Sequence, residues 1–108
     1  MRIIIDRDAV CAGDDMNHHR EEFVVPDDIT IAGLFEFLEF KYIPVIAENN
    51  VVWTLYYHDR ELGAYFTKIQ SFINGNISLS SIINKSEKDH EFYLHYYSHP
   101  DRYRKHFI

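Results

Sequence analysis

Cysteine, proline and glycine are scarce in this chain of 108 residues, which has one, three and four of them. A lone cysteine, Cys11, excludes an intrachain disulfide framework and any four-cysteine zinc site. So few glycines and prolines exclude collagen-like and low-complexity architectures. Long hydrophobic runs are also missing. The first, Ile3-Ile4-Ile5, stops at Asp6, well short of a signal-peptide core. No window approaches the roughly 18 to 20 apolar residues of a membrane span. Positive charge is in deficit, with eleven bases against seventeen acids and a net charge of −6. That balance argues against nucleic acid as the partner, because coating phosphates needs a basic excess. An unpaired cysteine and no targeting segment point to a reducing cytoplasm and away from a membrane.

What is present describes one folded unit. Hydrophobic residues make up 46% and charged residues 26%, which is ordinary globular usage and enough for a single α+β domain over residues 1–108. Charge is spread unevenly. Residues 1–50 carry eleven acids and four bases, a charge of −7, whereas residues 51–108 carry +1. Such asymmetry steers a basic partner toward one end of the domain.

Alternation at residues 2–10 and again near 18–25, before Pro26, predicts two strands joined as a hairpin across the turn chemistry of Gly13-Asp14-Asp15. Asp27-Asp28-Ile29-Thr30 supplies capping oxygens, and Ile31, Leu34, Phe35, Leu38 and Tyr42 recur at helical spacing. Pro44 ends that helix. Strands are expected at 43–47 and 51–58, a turn at 59–63, and a short strand at 64–67. Residues 69–73 read as a helical turn, 77–81 alternate as a strand would, and 84–89 form a polar loop. A last aromatic strand at 90–98 is stopped by Pro100. The predicted fold is α+β: a mainly antiparallel sheet of five to six strands with one principal helix on one face. The β-β-α-β-β order of the N-terminal half resembles the β-grasp, or ubiquitin-like, arrangement.

Aromatic residues make up 16%, with eight tyrosines. Several stand in adjacent pairs: Tyr56-Tyr57, Tyr65-Phe66, Phe92-Tyr93 and Tyr96-Tyr97. Neighbours on a strand point to opposite faces, so each pair sends one ring away from the helix. Either residues 68–89 cover that second face, or a row of tyrosines lies open to a partner. Seven histidines are the other unusual count. His95 and His99 share strand parity and are the candidate metal ligands, but their spacing matches no zinc signature. The chain has no nucleophile elbow and no phosphate-binding glycine loop, so no catalytic residue is assigned and no cofactor is expected.

The acidic set from Asp6 to Glu48 and the aromatic stretches at 51–58 and 90–97, in a chain this small, are similar in type to bacterial toxin-immunity proteins. These include the immunity proteins of contact-dependent growth inhibition. The resemblance implies one-to-one binding of a cognate toxin, often a basic nuclease domain, whose active site is then blocked. Asp14, Asp15, Glu21, Glu22, Asp27 and Asp28 would steer the encounter, and Tyr56, Tyr57, Tyr96 and Tyr97 would anchor the complex. Two other classes fit the composition. One is a non-catalytic module whose spare aromatic face closes a homodimer. The other is a small enzyme that depends on histidine or a metal.

Overall fold

The computed structural model describes residues 1–10, 19–44 and 50–105. Six strands form one sheet: β1 (Arg2–Arg7), β2 (Glu21–Val24), β3 (Val52–Tyr57), β4 (Arg60–Phe66), β5 (Ser71–Ile73) and β6 (His90–Tyr97). Among the described residues two α-helices accompany it, α1 (Ile31–Lys41) and α2 (Pro100–Lys105). The strand order is β2-β1-β6-β3-β4-β5. Only β1 with β6 is parallel; the other four pairings are antiparallel. The expected α+β class, a mainly antiparallel sheet with one principal helix, is therefore present. A β-β-α-β-β order also opens the chain, but its last two strands are 52–57 and 60–66 rather than the expected 43–47 and 51–58.

Helix α1 forms because its stripe and its cap agree. Ile31, Leu34, Phe35 and Leu38 are buried, and the Thr30 hydroxyl accepts from the Gly33 amide at 3.1 Å. Its first amides would otherwise lack partners. Ile31 and Ala32 donate instead to the carbonyls of Ile77 and Gly75, each at 2.9 Å. The stripe rests on Ile3, Ile5, Trp53, Leu55, Tyr57, Phe92 and Leu94 of the central strands. Phe40 points away from it and is 84% exposed, with the Lys41 ammonium over its ring.

The second face has a smaller core of Val52, Ala64 and Tyr103, with Phe66 and Tyr97 packed against it. Tyr103 comes from α2. Its ring meets Phe66 and Tyr97 edge-on, at 5.6 and 5.4 Å between centroids. Pro100 does more than stop the preceding strand. It opens α2, where a proline's missing N–H costs nothing.

Several local expectations are corrected. Ile43 and Pro44 lie outside any strand, and 45–47 lie outside the described residues. The turn after β3 is only His58-Asp59, and β4 starts at Arg60. A tight two-residue hairpin turn of this kind requires positive φ, and His58 sits at φ 56°. Residues 71–73 form strand β5 rather than a helical turn. The alternation at 77–81 resolves into a 3-10 turn, Leu79–Ser81. Segment 68–89 does not cover the second face. Leu79, Ile82 and Ile83 pack into the core beneath α1. Residues 71–73 are held as a strand by pairing with Ala64–Phe66 of β4, and the open amides at the start of α1 hold residues 75–77 on that side.

Gly63 is required by close approach. A Cβ there would stand 2.5 Å from the Ile73 carbonyl oxygen and 3.1 Å from Ile31. It follows a bulge, since Leu55 pairs with Gly63 but Tyr56 pairs with Glu61. The extra residue lets Leu62 and Tyr65 both reach the α1 side.

Candidate functional site

Alternation decides which functional side chains meet. On β3, Trp53, Leu55 and Tyr57 face α1, so Val52, Thr54 and Tyr56 face away. On β6, Phe92, Leu94 and Tyr96 face α1, so Tyr93, His95 and Tyr97 face away. Register then pairs Tyr56 with Tyr93 and Thr54 with His95. Helix α2 covers the Val52 and Tyr97 end of this face. At the other end Tyr56, His58, Asp59, Tyr93 and His95 line a shallow cavity of about 460 Å³.

Asp8 organises the cavity's edge. Strand β1 ends at Arg7, and the Asp8 carboxylate continues its ladder where the next strand carbonyl would have been. It accepts from the Tyr96 amide at 2.8 Å and the Tyr93 hydroxyl at 2.7 Å, and it lies 3.2 Å from His95 Nδ1. The Asp8 amide in turn donates to the Leu94 carbonyl at 2.9 Å. With Nδ1 protonated, His95 is oriented by Asp8 and its Nε2 is left for other work. Its ring meets Tyr56 edge-on and Tyr93 at a tilt, each at 4.8 Å.

The tyrosine hydroxyls stay protonated well above their ordinary range. Burial pushes Tyr56 up to about 12, and the neighbouring charge of Glu61 adds to it. Burial also raises Tyr93, helped by its bond to the Asp8 carboxylate. Tyr103 rises to about 12 by burial and then by Glu61. Neutral phenols beside carboxylates act as hydrogen-bond donors and apolar contact surface rather than as bases.

The turn beside the cavity is pinned. His58 Nε2 lies 3.0 Å from both Glu87 carboxylate oxygens, and the His58 ring packs on Tyr57 at 4.4 Å. The Tyr57 hydroxyl donates to Glu87 at 3.1 Å and accepts from the Asn84 amide at 3.2 Å. The hydrogen bond from His58 holds the Glu87 carboxyl below its usual range. The polar loop at 84–87 thereby fixes where Asp59 is presented.

The sequence-predicted site residues are dispersed. Tyr57 is 6% exposed and belongs to the core, and Tyr96 packs on Trp53 at a tilt, 5.2 Å between centroids. Tyr97 lies against α2, so Tyr56 is the member of that set lining the cavity. Glu22 chelates Arg2, and Asp27 takes the Met1 amino group at 2.8 Å, so both charges are compensated. Glu21 and Asp28 are exposed. Glu22 is on β2, three strand spacings from Tyr56 on β3, roughly 14 Å. Asp14 and Asp15 lie outside the described residues, as does Cys11. His99 stands apart from the His95 pair, near Asp101 at 3.4 Å and Asn50 at 3.4 Å. Among the described residues no three metal-ligating side chains gather.

Asp8, His58, Asp59 and Tyr93 were not singled out from the sequence. Parity with His95 marks Tyr93, and parity with Asp6 marks Asp8. Only the β1–β6 pairing brings those two together. No family model, no curated protein and no solved structure matches the chain. Among the described residues no helix is long and apolar enough to cross a membrane.

Proposed function

We propose that this chain is a protein-binding module of the immunity or inhibitor kind, acting in the cytoplasm, that engages a basic partner through the sheet face opposite α1. One observation carries the reading: the half of that face beyond α2 combines aromatic rings with carboxylates. Tyr56, Tyr93 and His95 lie among Asp8, Asp59 and Glu61, with Asp6 beside Tyr93 on the neighbouring strand; the buried Arg7 offsets part of this charge, and the nearby Glu91 is neutralised by Arg20. Tyrosine anchors ringed by charge are the composition of a binding hot spot. The acidic sign selects a basic partner and speeds its approach. The partner class is a basic toxin domain, with one copy bound per chain.

Capture of a basic protein from the native lysate by the untagged chain, with release at high salt, tests this reading. Charge reversal at Asp59 and Glu61 is expected to slow association with that partner about tenfold at low salt while dissociation changes little. Association that is indifferent to both reversals and to salt overturns the reading. One observation favours a second reading, general acid–base chemistry at His95 Nε2, because Asp8 holds the other ring nitrogen. Turnover lost in His95→Ala but kept in Asp59→Lys would favour it over binding.

A further inference from the structure

We infer that the cavity between Tyr56, Tyr93 and His95 is a receptor for a single arginine side chain presented by the partner. The inference rests on the proposed reading of this face as a surface for a basic protein, and it names the chemistry that the face selects.

Three rings bound one volume. Tyr56 and Tyr93 are cross-strand partners, and His95 sits 4.8 Å from each, at 85° to the first and 56° to the second. Aromatic faces carry negative charge that attracts a cation. Here the attraction is reinforced, because Tyr93 donates its hydroxyl proton to Asp8 at 2.7 Å and Tyr56 points its own toward Glu61. A phenol donating to a carboxylate leaves more negative charge on its ring.

The cavity lining also includes a carboxylate, Asp59. Asp59 is exposed and has no ion-pair partner among the described residues. Its position is fixed, because the two-residue turn is tied down through His58 by two 3.0 Å contacts to Glu87. The cationic form of His58 is thereby answered by Glu87 and does not oppose an incoming charge. About 460 Å³ exceeds what one side chain fills, leaving space for its water. Arginine suits the site better than lysine for a geometric reason. A planar guanidinium stacks on a ring and still offers two parallel N–H groups to one carboxylate, whereas an ammonium has no flat face and keeps its water more tightly.

The test is an amide-resolved NMR titration of the whole chain with N-acetyl-argininamide, and in parallel with its uncharged isostere N-acetyl-citrullinamide and with N-acetyl-lysinamide. The expected result is saturable shifts centred on Tyr56, His58, Asp59, Tyr93 and His95 with arginine. The lysine probe should bind more weakly, and citrulline should produce no saturable shift. Asp59→Asn is expected to weaken the arginine probe about threefold. Tyr56→Leu should weaken it about two- to fivefold, the scale of an exposed cation–π contact. Tyr56→Phe keeps the ring and should retain most of the binding, which separates loss of the ring from loss of the fold. Arginine shifts no larger than those of citrulline, shifts centred elsewhere, or lysine binding as tightly as arginine would each overturn the inference. Capture of a basic protein through this face with the five amides unmoved by the arginine probe refutes the receptor and leaves the binding reading intact. Saturable arginine binding with no basic partner does the reverse.

Discussion

Replacing Asp8 with alanine should be among the most damaging single changes near the surface of this protein. The side chain is 31% exposed yet accepts from Tyr93 at 2.7 Å and from the Tyr96 amide at 2.8 Å, with His95 at 3.2 Å. A hydrogen bond to a charged acceptor contributes about 1.5–3 kcal/mol, and a buried donor left without a partner costs about 1–3 kcal/mol. The Tyr96 amide, on β6 beside the end of β1, is part-buried, so losing its acceptor should cost about 1–2 kcal/mol. His95 is exposed and recovers water, and the half-buried Tyr93 borders the shallow cavity, so together they add only about 1 kcal/mol. The expected loss is about 2–3 kcal/mol, or a melting temperature lower by roughly 8–12 °C for a chain of this length. Urea unfolding followed by Trp53 fluorescence measures it, since Trp53 is the single tryptophan and is fully buried. Tyr93→Phe supplies a double-mutant cycle, with a coupling of about 1 kcal/mol expected between Asp8 and the hydroxyl. A loss below about 0.5 kcal/mol, or strict additivity of the two changes, would refute the bridging role of this carboxylate.

Gly63→Ala should destabilise by about 1–3 kcal/mol, because the new methyl meets backbone rather than a side chain that can move; a chemical-denaturation midpoint equal to wild type would contradict this. Glu87 has a lowered folded-state pKa, so its stabilising effect is complete above the unfolded value near 4.5 and is lost as pH falls through the folded one. Wild type should therefore exceed Glu87→Gln in urea midpoint at neutral pH and converge with it in acid. Seven of the eight tyrosines have raised pKa values, with burial the largest cause in each. The stability they contribute is complete below the ordinary value near 10 and is lost as pH rises through the folded ones. Absorbance at 295 nm near pH 11 should accordingly show most phenols still protonated until the chain unfolds. A smooth titration of all eight near pH 10 would count against the packed aromatic faces.

Local chemistry was legible wherever periodicity and burial agreed. The stripe of Ile31, Leu34, Phe35 and Leu38 with Thr30 as cap reads directly as a helix, and the strand around Trp53 reads directly as a strand. Residues 68–89 were not legible, because their conformation answers to groups far away in sequence. Residues 75–77 serve the open amides of α1, and Asn74 reaches the Leu62 carbonyl at 2.9 Å. The role of Pro100 was ambiguous for a similar reason, since a proline that ends one element is equally suited to begin the next. What periodicity does establish is that paired aromatics must split between the faces of the sheet.

Composition and alternation alone thus settle the class of fold, the helix and its buried stripe, the two-sided aromatic strands, and the net negative charge. These are properties of near neighbours, and each residue carries them wherever the chain goes. Which tyrosines stay open, and which carboxylate meets which histidine, depend on contacts made across 85 to 88 positions of chain between Asp8 and residues 93–96. The parallel pairing of β1 with β6 and the placement of α2 over half of one face decide them. Such contacts leave no mark on local periodicity, because a parallel neighbour is reached only through a long crossover.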